Sequence, residues 1–458
     1  MHESTMSRAR RVRTPHRYLL FAIVGVAILM ISIDQTIVAT ALVAIQADLD
    51  ASLAWASWII TVYFLGLLVT MPVAGALADQ YGRKRIFLAA IVLFGGATTC
   101  CALAVDIKML IVARALQAVG AGAFVPCASG IVAEHFGEGR DRAIGLFTSI
   151  YPIGAIVGPV VGGLIVGHAD WRYIFVVNVP VCVVLAVLVA VLVPETATRR
   201  TRLPDLVGSG LLAACLVLAM LGVTLARDSR VALVVLVGLA VAVGWLFVRR
   251  TKRIEEPIIP LSLLTGRGLL SMNLVNLAIG SAAFGLGSLA PLYAELRFGM
   301  SPLAAGSLLT LRALGMISLA GLAAWLLRIT GYRLPMAVGL MMTAAGLVMT
   351  WAMPPGSISP HAWLSASLAV TGVGMGLALP AANNASLQLA PTQVSAIVGI
   401  RGMFRQGGGM LSVSFASLLM THSGAPSATL AAVYLGFGLA LACATSLVLR
   451  VPEHRGSW

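Results

Sequence analysis

Charge is what this sequence has least of. Asp, Glu, Lys and Arg make up 10% of its 458 residues, while 59% are hydrophobic. Soluble domains carry roughly 25% charged residues. A chain of this composition cannot hide its apolar surface from water, so lipid is its solvent. The sequence also lacks a G-x-x-x-x-G-K-[ST] loop, which excludes ATP as the energy source, and it has no H-E-x-x-H or H-x-x-E-H zinc cluster. Six histidines sit near the ends of apolar runs and His2 lies in the tail. The six cysteines (Cys100, Cys101, Cys127, Cys182, Cys215, Cys443) fall inside apolar segments without metal-ligand spacing. They read as small core residues with no disulfides. Nothing reads as an enzyme, and no cofactor or metal is expected.

What is present is long apolar runs. A membrane span needs about 20 mostly apolar residues, and fourteen stretches qualify: roughly 18–42, 56–78, 86–104, 109–133, 143–167, 173–193, 206–226, 231–248, 269–294, 303–327, 335–353, 362–382, 398–421 and 428–449. Each must be helical, because backbone groups in lipid need internal hydrogen bonds. The short connectors leave no room for a soluble domain. The basic segment "MSRARRVRTPHR" is followed by a run too long for a signal peptide, so it is read as preceding a retained first span. With the N-terminus inside, 22 of the 31 Lys and Arg residues lie at cytoplasmic ends and five outside (Lys108, Arg172, Arg227, Arg230, Arg297). That bias places both termini in the cytoplasm and requires an even number of spans. The same placement of cations in membrane-flanking connectors, despite a net charge of +14, argues against nucleic acid as a partner.

In "MISIDQTIVAT", residues 30–40, Asp34 sits two-thirds of the way along the first apolar run. Insertion scales put a carboxylate at mid-membrane about 2.5–3.5 kcal/mol uphill, and such residues usually face a cavity or a partner. Arg114 and Gln117 share a face at i, i+3 in "MLIVARALQAVGAGAFVP"; a structural hydrogen-bond hub is the alternative reading there. Arg312 stands alone in mid-span, while Arg401 and Arg405 share a face of the thirteenth stretch. Glu295, near the outer end of the ninth, is either a gate carboxylate or a solvated one.

Two further segments are patterned. "GALADQYGRKRI" ends a helix at Asp79, turns at Gly82 and follows with Arg83, Lys84 and Arg85. A charged reverse turn obeying the positive-inside rule would look similar. "SIYPIGAIVGPVVGGLIV" spaces Gly154, Gly158 and Gly162 at i, i+4, i+8, one stripe on a helix, with Pro159 able to bend it and Gly163 beside it. Close helix packing is the plain reading of such a stripe.

The spacing G-x-L-A-D-x-x-G-R-K-R, from Gly75 to Arg85, resembles the signature of the major facilitator superfamily between its second and third helices, with Gln80 in place of the family's usual arginine. G-x-x-x-G-P-x-x-G-G resembles the antiporter signature of its drug exporters. R-x-x-Q-x-x-G matches a pattern associated with proton movement. "SIDQTIVATAL" looks like the first-helix signature of the fourteen-span drug:proton antiporters. "WIITVYFLG", "WRYIFVVNVPV", "DLVGSGLL", "PLYAELRFGMSPLAAG" and "RGMFRQGGG" extend the resemblance from about residue 18 to 450.

The resemblance implies an all-α membrane protein of the major facilitator fold. Its expected parts are a basic tail (1–17), a six-helix bundle (18–193), two linker helices (206–248), a cytoplasmic connector (249–268) and a second six-helix bundle (269–450). It implies a cytoplasmic latch built from Gly75, Asp79, Gly82, Arg83, Lys84 and Glu134, and a hinge at Gly154, Gly158, Pro159, Gly162 and Gly163 packing on the other bundle near the tenth span. It places the first and fourth spans together around a central cavity. Asp34 lies 17 residues beyond Arg17, about 25 Å along a helix, and Arg114 about 9 Å inward from Lys108. The two are therefore expected at similar depth and within hydrogen-bonding or one-water reach. Burial disfavours an ionised carboxylate and a neighbouring guanidinium favours it, so this pair is the expected proton-coupling site. A fixed ion pair joining two helices is the alternative. The expected cavity residues are Asp34, Gln117, Phe124, Phe284, Arg312, Asn383 and Asn384. The implied function is proton-coupled export of a small amphipathic substrate from a monomer in the inner membrane. Export of one endogenous metabolite or lipid, or a non-transporting sensor, stands as the alternative.

Overall fold

The computed structural model describes residues 17–136, 140–195, 205–225, 229–254, 257, 259–421, 423–451 and 453. The basic tail up to His16, Arg199, Arg200, Arg202, Arg227, His422, His454 and Arg455 lie outside the described residues. Among the described residues every regular element is helical. Ten of the helices are long and apolar enough to cross a membrane, and shorter apolar helices cover 207–223, 269–280 and 304–319.

The first set of helices is α1 (Arg17–Asp48), α2 (Leu53–Tyr81), α3 (Arg83–Ala102), α4 (Ile107–Gly122), α5 (Phe124–Phe136), α6 (Arg140–His168), α7 (Tyr173–Val176) and α8 (Asn178–Leu192). Then come α9 (Leu206–Leu225) and α10 (Arg230–Thr251), which pack on each other and are clasped by Arg250 Nη2 on Asp205 at 2.9 Å. The remaining helices are α11 (Leu261–Thr265), α12 (Leu269–Gly280), α13 (Gly287–Phe298), α14 (Pro302–Thr330), α15 (Arg333–Trp351), α16 (Pro360–Leu389), α17 (Val394–Thr421) and α18 (Pro426–Ala444).

Three apolar stretches are interrupted, two of them where proline removes a backbone donor. Pro126 leaves the Gly122 carbonyl without its i+4 partner, and α4 gives way to α5 at Ala123. Pro180 does the same to Val176 at the α7–α8 break. Pro291 follows a π-helical turn, Ser281–Leu286, between α12 and α13, an insertion that commonly marks functional helices.

Small residues set the interhelical distances. A Cβ on Gly120 would strike the α3 backbone at Phe94. Gly158 and Gly162 face Thr36 and Thr40 of α1, and Gly154 faces Ser32. The glycine stripe is thus the seam between α6 and α1 within the first set; the expected packing of the stripe itself on the tenth span is not found. α6 does meet that span, α14. The physical reason is space: Ser32 donates to the Tyr151 carbonyl of α6, Thr36 and Thr40 donate to carbonyls of α1 itself, and glycine leaves room for all three side chains. Gly163 lies off the seam with open space around it, and Pro159 is exposed.

The two sets meet chiefly along α2 and α17, where Gly75 lies against the Ser395 carbonyl and Gly399 against that of Met71. α9 touches both helices. The first apolar core, built on Ile31, Phe87 and Phe124, runs across this contact to Ile397 and Ile400. A second core, around Met336, Leu368 and Tyr434, belongs to α12–α18.

Gly408 of α17 sits on the Leu277 carbonyl of α12, a rigid backbone contact. Gly408→Val should therefore cost about 1–3 kcal/mol and visibly lower the thermal unfolding temperature of detergent-purified protein. Gly163→Val, in open space, should leave it essentially unchanged. Equal effects would refute the packing account.

Candidate functional site

Asp34 lies on α1 with none of its surface exposed. Arg114 of α4 donates through Nη1 to its Oδ2 at 2.9 Å. Gln117, one turn further along α4, donates through Nε2 to Oδ1 at 3.1 Å and to Thr98 Oγ1 of α3 at 2.8 Å. The Gln117 carbonyl in turn accepts from Arg114. Asn178, at the α7–α8 break, directs its Nδ2 to Asp34 Oδ1 at 3.5 Å. The Tyr63 ring of α2 lies under the guanidinium, 3.9 Å from its carbon. Five elements therefore converge on one carboxylate in the interior of the first set.

The energetics require this closure. A buried carboxylate alone in low dielectric is prohibitively costly, and it persists only when paired and hydrogen-bonded. Here every named neighbour of Asp34 is a donor. A proton arriving on the carboxyl would leave one of those donors without its acceptor, a penalty of about 1–3 kcal/mol when buried. Sequence reasoning missed Tyr63, Thr98 and Asn178. An asparagine two residues before Pro180, inside an apolar run, was the available signal.

At the end of the molecule carrying residues 79–86, Gly82 turns the chain from α2 to α3 with φ +103°, a backbone region that favours glycine. Arg83 pairs with Asp79 at 3.0 Å and Glu134 at 3.2 Å, and donates to the Gly130 carbonyl at 2.8 Å. The second Asp79 oxygen accepts from the Ala396 backbone N–H at 2.8 Å. Ala396 is in the first turn of α17, so a carboxylate from one set caps a helix of the other, where helix dipole and orphan donors favour negative charge. The motif indicated the Arg83 pairs but not this cap. Lys84 is half-buried beside the turn.

The remaining candidates separate. Phe124 is an apolar-core residue, fully buried against Phe87 and Phe94 at ring distances of 5.6 and 5.4 Å. The close approach of Gly120 to α3 brings that turn against α3, which removes Phe124 from the expected cavity lining. Phe284 falls on the π-helical turn, and its side chain lies outside the described residues. The Arg312 guanidinium occupies the space a side chain at Gly287 would need, so it meets α13 and not the glycine stripe. Glu295 is exposed. Asn383 and Asn384 are fully buried on α16, and Asn383 is joined to Arg401 and Arg405 of α17.

A sequence model of the Major Facilitator Superfamily matches residues 24–296 and 272–458. The chain is 30% identical to the puromycin resistance protein pur8 of Streptomyces alboniger, over 95% of this chain and 90% of that protein. It is 29% identical to a multidrug resistance protein B homolog of Mycobacterium tuberculosis, covering 87% and 76%. It is 30% identical to the tetracenomycin C resistance and export protein of Streptomyces glaucescens, covering 87% and 74%. Among solved structures, the human organic anion transporter MFSD10 superposes with a TM-score of 0.67 at 16% identity, over 93% of this chain and 100% of that one. The proton:xylose symporter XylE gives 0.65 at 15%, over 96% and 97%. At these identities the structural likeness speaks for the fold.

Removing one partner of a buried pair leaves the other charge stranded, typically at 3–5 kcal/mol. Asp34→Ala should therefore sharply lower the unfolding temperature in detergent, and the paired change Asp34→Asn with Arg114→Gln should recover much of the loss. A double variant no more stable than Asp34→Ala would show that the two residues do not act as a pair.

Proposed function

Since the chain belongs to the Major Facilitator Superfamily, among its multidrug-efflux relatives, we propose that it exports small amphipathic compounds across the cytoplasmic membrane in exchange for protons. In this reading fourteen spans form two six-helix bundles, with α9 and α10 as linkers and both termini in the cytoplasm. A single copy alternates access to a site between the bundles.

The observation that carries the reading is the all-donor shell of Asp34. In the arrangement described, three N–H donors address the two carboxylate oxygens. Loading a proton releases Arg114, Gln117 or Asn178, and with it the hold of α4 and α8 on α1. Proton binding and helix movement are then one event, which is what exchange requires. The α1–α6 glycine seam transmits that movement, because backbone contacts shift as a unit. α6 reaches α14 and α16 of the second set. The Asp79 cap on α17 and the Arg83 pairs form the latch that holds the cytoplasmic side shut and parts when the bundles rock. Such charge-assisted contacts can break and re-form at modest cost.

A second reading keeps the mechanism and narrows the cargo to one compound. It is supported by relatives named for resistance to a single antibiotic, puromycin or tetracenomycin C. Expression in an exporter-deficient host, challenged with a panel of dyes and antibiotics with and without an uncoupler, separates the two. Broad, uncoupler-sensitive resistance supports the first reading, and resistance to one compound supports the second.

Asp34→Asn keeps the shape and removes the titratable proton. It leaves the Arg114 charge unpaired and so lowers stability, and per molecule in the membrane it should abolish proton-driven export. Drug-driven proton release from this variant in proteoliposomes at the wild-type rate would remove Asp34 from the mechanism.

A further inference from the structure

The second set holds an inverse of the Asp34 site. Arg401 and Arg405 lie one turn apart on α17, and Arg401 is 5% exposed. Arg401 Nη1 donates to the Asn383 backbone carbonyl at 3.1 Å. Arg405 Nη2 donates to Asn276 Oδ1 at 2.8 Å and Asn383 Oδ1 at 3.2 Å. All these acceptors are neutral. Among the described residues neither guanidinium has a carboxylate within 4.0 Å, in contrast to Arg114, Arg83, Arg172 and Arg250. Two donors at the same place are unanswered: Arg405 Nε and Asn383 Nδ2, on a fully buried residue.

Buried charges are ordinarily paired, and two like charges one turn apart add repulsion. Amide oxygens satisfy some hydrogen bonds but supply no counter-charge. The site therefore has an electrostatic requirement that this chain does not meet from its own described residues. It also adjoins the junction of the two sets, since Gly402 and Gly407 on the same helix lie against Met71 and Leu68 of α2.

We infer that Arg401, Arg405 and Asn383 form a cargo subsite for an anionic group, a carboxylate, sulfonate, phenolate or phosphate, carried on an apolar body. Guanidinium forks match planar and tetrahedral oxyanions geometrically as well as in charge. This assignment rests on the exporter reading for its biological sense, but not for its physical test. It narrows the expected small amphipathic substrate to anions.

The test compares two dyes with a shared xanthene core and opposite charge. Fluorescein and rhodamine 123 are titrated by polarisation against the detergent-purified full chain, in wild type, Arg401→Gln, Arg405→Gln and Arg405→Lys. Fluorescein should bind roughly ten-fold tighter than rhodamine 123. Arg405→Gln should abolish that margin without weakening rhodamine 123, and Arg405→Lys should restore part of it. Equal loss for both dyes, tighter binding of rhodamine 123, or no saturable fluorescein binding overturns the inference. Where the Gln variants do not stay monodisperse, displacement from wild type decides: 1-naphthoate should compete with fluorescein and neutral 1-naphthamide should not, and equal competition overturns it. The two readings fail separately. Uncoupler-sensitive export of rhodamine 123 without fluorescein binding removes the anion subsite and keeps the exporter. Arg405-dependent fluorescein binding without proton-driven flux of either dye removes the exporter and keeps the subsite.

Discussion

A carboxylate held where water cannot reach it constrains everything around it. Asp34 keeps its place because Arg114, Gln117 and Asn178 direct N–H groups at it and Tyr63 covers the guanidinium. The partners come from α2, α4 and α8, and Thr98 of α3 holds Gln117, so the packing of α1, α2, α3, α4 and the α7–α8 break must be compatible with one point in space. In lipid this demand is sharper than in water, since the apolar solvent outside the helices drives no association between them. The first set is thus organised around a polar centre, with small residues setting how closely its walls approach.

The glycines complete that organisation by bringing backbones together. Along α6 they admit Ser32, Thr36 and Thr40 of α1; on α17 they admit α2 on one side and α12 on the other. A helix packed by its backbone has little room for small adjustments. It moves as a body or not at all, the behaviour needed for a change at Asp34 to be felt at α6 and beyond. The same logic explains why the sets are tied by a cap at Asp79 and Ala396. A helix terminus offers donors that lose little by exchanging one acceptor for another, or for water.

Much of this was legible in the residues. The cost of burying charge made Asp34 and Arg114 conspicuous, and helical rise placed them at one depth. The turn at Gly82 followed from the residues, and the Arg83 pairs from the family resemblance. What spacing could not supply was the identity of the neighbour. Glycines at i, i+4 and i+8 define a face, yet nothing in the period says whether α1 or α14 lies against it. Phe124 is indistinguishable in sequence from a cavity aromatic, because its burial depends on Gly120 drawing α4 onto α3. Backbone partners such as the Ala396 N–H carry no side-chain signature at all. Asn276, which accepts from Arg405, was a polar residue in an apolar run and had the same signal as Asp34, only without a charge to draw attention.

The two polar centres divide the electrostatics between the halves of the chain: an acid surrounded by donors on one side, and donors awaiting an acid on the other. Gln35, adjacent to Asp34 on α1, accepts from Tyr151 of α6. The proposed cargo charge also has an energetic consequence. A membrane potential of 100 mV is worth about 2.3 kcal/mol per charge moved. One proton entering as one monovalent anion leaves moves two charges in the favourable direction, about 4.6 kcal/mol at that potential. Export of a monovalent cation against one proton would move none, leaving only the pH gradient. On the anion proposal, an arginine pair without a carboxylate among the described residues selects the cargo whose exchange for a proton draws on both the pH gradient and the membrane potential.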